Sequence, residues 1–94
     1  MDKTKFIYFS SVKYDVLRFI KAFIKERKYS PTHKEIGMNF NYSRARAAVV
    51  VTDLYKMGFI AKGYSAHRNI RMDQDQLNAV SNIKYNKEYK INDW

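Results

Sequence analysis

Apolar side chains first cluster at Phe6-Ile7-Tyr8-Phe9, either a short strand or a lead-in that packs on a core. From Ser10 or Ser11, each able to cap a helix, the spacing changes. Val16, Leu17, Ile20, Phe23 and Ile24 recur at helical intervals with Phe19 alongside, predicting an amphipathic helix to about Lys28. Lys13, Arg18, Lys21, Lys25 and Arg27 lie around its polar side. Tyr29-Ser30-Pro31 ends it, because the residue before a proline avoids helical geometry. Thr32 followed three residues on by Glu35 is a capping-box pattern, so a second helix is expected over about Thr32 to Asn39, burying Ile36 and Phe40. Gly37 within it marks close packing or a weakened turn. A polar turn at Asn39 to Tyr42 follows, with Ser43 positioned to cap a third helix over about Arg44 to Met57 and Gly58 to stop it.

Projected at about 100° per residue, the third helix aligns Ala47, Val51, Leu54 and Gly58 on one line, the natural core face. Val50 and Met57 widen that face, and the opposite line holds Ala45, Val49, Thr52 and Lys56. Two capped helices joined by a short polar turn read as a helix-turn-helix. Phe59-Ile60-Ala61 and Asn69-Ile70-Arg71-Met72 are β-like segments around a glycine-containing loop, a hairpin placed where a wing would be. Asp73 can cap a short fourth helix carrying Leu77, Ala79 and Val80. The alternation from Ile83 to Ile91 predicts a strand with Ile83, Tyr85, Tyr89 and Ile91 on related faces. The expected class is mainly α with a small β-hairpin: a winged helix-turn-helix of three helices plus wing. It forms one domain over 1–94, with its core at 11–72 and a short C-terminal extension at 73–94.

Composition narrows the function. The 94 residues contain no cysteine, which removes disulfides, thiolate metal sites and cysteine nucleophiles together. Eighteen Lys and Arg against nine Asp and Glu leave a net charge of +9, and a domain this basic usually meets a polyanion. The bland alternative is a solvated lysine-rich surface. Phe6 to Phe9 is too short for a secretory h-region, and no run approaches the roughly 18 apolar residues of a membrane span. A cytoplasmic protein with no membrane partner is expected.

The chain resembles the N-terminal DNA-binding domain of the LexA repressor family. The matching residues are Asp15 to Ile20 with Ile24, Pro31-Thr32 with Glu35-Ile36, Tyr42-Ser43, Ala47, and Leu54 with Gly58-Phe59-Ile60, over about residues 12 to 72. The resemblance implies a three-helix winged helix whose third helix and wing approach DNA. Two departures matter. The chain stops at Trp94 without the self-cleaving protease domain of LexA proteins, so no autoproteolysis is expected. The third helix also places Ala45, Ala48, Val49 and Val50 where several polar reading residues would stand. In composition and size the chain resembles, more loosely, the small winged-helix single-strand DNA-binding protein of staphylococcal cassette elements.

Reading a base edge needs Arg, Lys, Asn or Gln in the groove, and the outward line supplies only Thr52 and Lys56 in its body. Arg44 and Arg46 stand at the helix start, and the wing carries Lys62, Tyr64, His67 and Arg68. These eight residues are the expected nucleic-acid-binding set. Tyr85, Tyr89 and Trp94, interleaved with Lys84, Lys87 and Lys90, offer base-stacking faces, although half-buried packing is the commoner fate of a tyrosine. Phe19, Phe23, Phe40 and Phe59 are expected in the core. His33 and His67 lack partners at metal-ligand spacing, and no phosphate loop or nucleophile triad is present. Neither catalysis, cofactor nor metal is expected. The leading expectation is a non-catalytic, largely electrostatic, weakly sequence-specific DNA binder that favours single strands and serves replication or processing of a mobile element. The second is a dimeric LexA-like repressor of double-stranded operators, a homodimer joined through the segment after Asp73. The third is an interaction adaptor gripping a protein partner through Val49 and Val50.

Overall fold

A computed structural model describes residues 4–92. Strand β1 (Thr4–Phe9) is followed by helix α1 (Ser11–Arg27), helix α2 (His33–Phe40) and helix α3 (Arg44–Lys56). A hairpin of β2 (Ala61–Lys62) and β3 (Ile70–Arg71) leads to helix α4 (Gln74–Ala79), a 3-10 turn at Val80–Asn82, and strand β4 (Lys87–Asn92). This is a winged helix, mainly helical with small antiparallel strand pairs.

Every α-helix begins on a side-chain cap. Ser10 Oγ accepts from the Lys13 amide, Ser43 Oγ from the Arg46 amide, and Asp73 from the Gln76 amide, each satisfying an orphan donor of a first turn. Thr32 and Glu35 form the reciprocal capping box at α2, with bonds of 3.1 and 2.8 Å. The first turn of α4 is closed in the same reciprocal way by Asp73 and Gln76. The turn between α2 and α3 is tight. Asn41 takes the left-handed conformation (φ 61°), and the Tyr42 amide returns to the Gly37 carbonyl at 2.8 Å. A Cβ at Gly37 would stand 2.6 Å from the Tyr42 carbonyl oxygen, so the glycine answers to the turn and not to a neighbouring helix.

The core gathers Val16, Leu17 and Ile20 of α1, Ile36 of α2, and Ala47, Val50, Val51 and Leu54 of α3, closed by Phe9, Ile60, Ile70 and Val80. Ala47, Val51 and Leu54 of the expected core line of α3 are buried, whereas Gly58 lies past the helix end and is exposed. Four aromatic expectations need adjustment: Phe19, Phe40 and Phe59 are half-buried and pack on the core margin. Phe23 is also half-buried and tilts against Phe19 at 5.8 Å between ring centroids.

Strand β4 is shorter than its alternation suggested. It starts at Lys87 because residues 83–86 cross above the start of α1, where Asn86 turns left-handed (φ 60°). Asn86 donates its amide to the Phe9 carbonyl at 2.6 Å and accepts the Ser11 amide on its side chain at 3.1 Å. From there β4 pairs antiparallel with β1, Phe9 opposite Lys87 through Thr4 opposite Asn92. The inner face of this ribbon sets Phe9 and Tyr89 against Phe59, at 4.8 and 5.3 Å between centroids, and against each other at 5.6 Å. Phe6 and Tyr8 lie on the other face, both exposed. Among the described residues, no helix is long and apolar enough to cross a membrane.

Candidate nucleic-acid interface

The outer surface of α3 follows from its cap and its core line. With Ala47, Val50, Val51 and Leu54 turned inward, Ala45, Val49, Thr52 and Lys56 face solvent, Val49 at 61% exposure. Val50 is core, so no Val49–Val50 patch exists for a protein partner to grip. Arg44 and Arg46 stand exposed in the first turn, and the Arg46 guanidinium lies 4.7 Å over the Tyr42 ring. On the flank facing α1, Asp53 is neutralised by Lys13 at 3.1 Å.

Gly58, at φ +82°, turns the chain out of α3, and the Phe59 amide returns to the Leu54 carbonyl at 3.1 Å. The wing then rises as β2 against β3, with Lys62 opposite Ile70. Its base is fastened at one atom: the Asn69 carbonyl accepts both the Gly63 amide and the Tyr55 hydroxyl of α3, each at 2.6 Å. Burial raises the Tyr55 phenol above its ordinary range, which keeps it protonated as that donor.

Arg68 does something its place in the wing did not announce. Its guanidinium reaches back across the fold to both carboxylate oxygens of Glu35, at 2.7 and 3.3 Å, and to the Ser30 carbonyl at 2.8 Å. It also covers the Tyr29 ring at 4.4 Å. The hydrogen bond from Arg68 and the backbone bond at Thr32 hold the Glu35 carboxyl below the usual carboxylate range. Glu35 thus caps α2 and grips the wing with one side chain. The charge of Arg68 is compensated within the protein.

The remaining wing residues point outward. Lys62, Tyr64 and His67 are exposed, Tyr64 at 94%. Arg71, which sequence reasoning did not place in the set, stands exposed on β3 with its guanidinium 5.8 Å from the Tyr64 ring. The alternation of β3, Ile70 inward and Arg71 outward, was the signal for it. Among the described residues, Arg44, Arg46, Lys56, Lys62 and Arg71 have no carboxylate ion-pair partner within 4.0 Å. Asp53 of α3 and Glu35 of α2 are each paired within the protein, to Lys13 and Arg68, and so do not offset these cations.

Of the C-terminal aromatics, Tyr89 is packed into the fold, whereas Tyr85 stays 47% exposed with one face covered. Tyr85 stacks on Tyr14 at 4.8 Å, and Tyr89 packs between Phe9 and Phe59 while donating its hydroxyl to the Lys84 carbonyl at 2.5 Å. Trp94 lies outside the described residues. The exposed aromatic of the α3 and wing surface is Tyr64.

His33, the first residue of α2, lies under this surface. Burial, and then the positive charge of Arg44, hold its imidazole below the ordinary pKa, which favours the neutral ring. Its Nε2 is buried without a hydrogen-bond partner. No group of three or more His, Cys, Asp or Glu side chains fit for a metal occurs among the described residues.

A comparison with known families matches residues 10–68 to the LexA DNA binding domain. No curated protein matches the chain.

Proposed function

The chain belongs to the family of LexA DNA binding domains, and from that premise we propose a non-catalytic DNA binder whose affinity is mainly electrostatic and which prefers single strands. The observation that carries this reading is the contrast on α3. Its outward line of Ala45, Val49, Thr52 and Lys56 offers one long polar side chain, Lys56, while four further cations without an ion-pair partner (Arg44, Arg46, Lys62 and Arg71) flank it. Readout of guanine or adenine relies on Arg, Lys, Asn or Gln, and the outward line of the helix presents Lys56 alone of these. Charge without a reading edge favours phosphate contact over operator recognition.

The preference for single strands rests on Tyr64. A freely exposed ring beside a guanidinium is a stacking platform for an unpaired base, and every base has a face to offer it. In this reading Arg44, Arg46, Lys56, Lys62 and Arg71 hold phosphates, Thr52 and His67 lie along the path, and Tyr64 stacks. Arg68 acts from behind by holding the wing in place. A helper role in replication or processing of a mobile element fits such a binder.

The test is fluorescence anisotropy with random single-stranded and double-stranded DNA at two salt concentrations. Single-strand binding at least tenfold tighter, falling steeply with salt, is expected. Equal affinity for both forms would defeat the strand preference. Recovery of a palindromic motif from a random duplex pool would replace it with the dimeric repressor.

A further inference from the structure

Between α2, α3 and the wing lies a cavity of about 420 Å³, within the range of roughly 300–1,000 Å³ typical of small-molecule sites. Its apolar lining comes from Val51, which is buried, and from the half-buried Tyr55. Polar groups come from Thr52, His33 and Asn69, and the exposed Lys56 and Lys62 supply positive charge. We propose that this cavity receives one unstacked nucleotide of a bound single strand, with its base against Tyr55 and Val51 and its phosphate held by Lys56 and Lys62.

Three features fit that ligand and no simple anion. A phosphate or sulfate needs cations but no apolar wall, and this wall is both apolar and aromatic. A flat heterocycle with hydrogen-bonding edges matches a lining of hydroxyl, amide and imidazole around a hydrophobic face. The His33 ring lines the cavity and carries an unpartnered Nε2, the kind of group that a bound polar edge satisfies after a small rotation. The architecture is also held open: the bond from Tyr55 to Asn69 pins the wing to α3 across the cavity, so the space does not depend on a moving loop.

The proposal deepens the single-strand reading and rests on it, and the two can fail separately. The probes are a short oligothymidylate and the same length of fully abasic strand, bound to the whole chain and followed by anisotropy. A captured and stacked base is worth on the order of tenfold in affinity, so the normal strand should bind about tenfold tighter than the abasic one. Thr52→Leu, at an exposed helical position, fills the mouth of the cavity. It should reduce that ratio to under twofold by weakening the normal strand more than the abasic one, with its thermal melt confirming an intact fold. Thymidine monophosphate as competitor separates the sources: displacement of the strand shows that a free nucleotide suffices. Its failure, with the base-dependent ratio intact, confines the site to nucleotides within a strand. Equal binding of normal and abasic strands by the wild type overturns the proposal. So does a ratio that survives Thr52→Leu but vanishes in Tyr64→Ala, which would put base capture on the wing tip. Absence of binding to either strand defeats the single-strand reading itself and takes the cavity's role with it.

Discussion

Salt dependence offers the sharpest check on which cations face nucleic acid. Each phosphate neutralised on a single strand contributes about −0.7 to the slope of log affinity against log salt. If Arg44, Arg46, Lys56, Lys62 and Arg71 all engage, the slope is about −3.5, and raising salt from about 50 to 200 mM weakens binding roughly 100-fold. Replacing Lys56 and Lys62 together by glutamine should bring the slope to about −2.1 and the loss over the same interval to roughly 20-fold. The informative contrast is the charge-conserving double variant Glu35→Gln with Arg68→Gln. Because Arg68 is compensated by Glu35, and glutamine at position 35 can still accept the Thr32 amide, this variant should keep the slope near that of the wild type. Anisotropy titrations at five salt concentrations on all three proteins would decide. An equal drop in slope from both double variants would refute the separation of Arg68 from the binding set. A wild-type slope near zero would refute electrostatic binding altogether.

Four further outcomes are expected. Tyr55→Phe removes one of two donors to the Asn69 carbonyl and should cost about 0.5–1 kcal/mol in urea unfolding, since the Gly63 amide remains; its larger effect should be weaker strand binding through a loosened wing. Gly37→Ala gains about 1 kcal/mol of helix propensity but drives a methyl to 2.6 Å from the Tyr42 carbonyl, so the melting temperature should fall, overpacking typically costing about 1–3 kcal/mol. Phe9→Ala empties a fully buried site and should cost about 3–5 kcal/mol, measured by denaturant titration. The folded-state pKa of His33 is lowered, so the folded protein holds fewer protons than the unfolded chain just below the ordinary value of about 6.5. Stability from this residue is therefore present above pH 6.5 or so and is lost as pH falls through the folded pKa. Thermal melts from pH 7.5 to 5.5 should show that loss in the wild type and a flatter profile in His33→Gln.

The helix-turn-helix was legible because its signals are local. The caps at Thr32 and Ser43, the stop at Gly58 and the inward line of α3 each depend on residues within a turn or two of one another. What escaped is long-range. Glu35 was readable as a cap, but nothing in its neighbourhood shows that it also receives Arg68 from the wing. That contact makes an internal brace of a residue whose place in the wing suggested only phosphate contact. The alternation from Ile83 to Ile91 was real, yet its first half is diverted by Asn86, and only Lys87 onward finds β1 as a partner. Tyr89 looked like a stacking face among lysines until its partners Phe9 and Phe59 came from elsewhere in the chain, and Tyr85 has one face taken by Tyr14. The cavity is invisible to any local reading, because its lining comes from α2, α3 and the wing at once.

The pairing of β1 with β4 also bears on the order in which the molecule assembles. Thr4 meets Asn92 across almost the whole chain, so the ribbon closes the largest loop in the fold, and that entropy is spent before its ladder bonds form. The helix-turn-helix and wing are built from near neighbours and have no need to wait. Folding should therefore run from the middle of the chain outward, with the ribbon sealing last and opening first. Amide exchange should be fastest at the Thr4 end of β1, slower where Phe9 is anchored, and slowest in α1 and α3. In that order the nucleic-acid face forms before the ribbon closes and is ready for DNA while the ends are still undone.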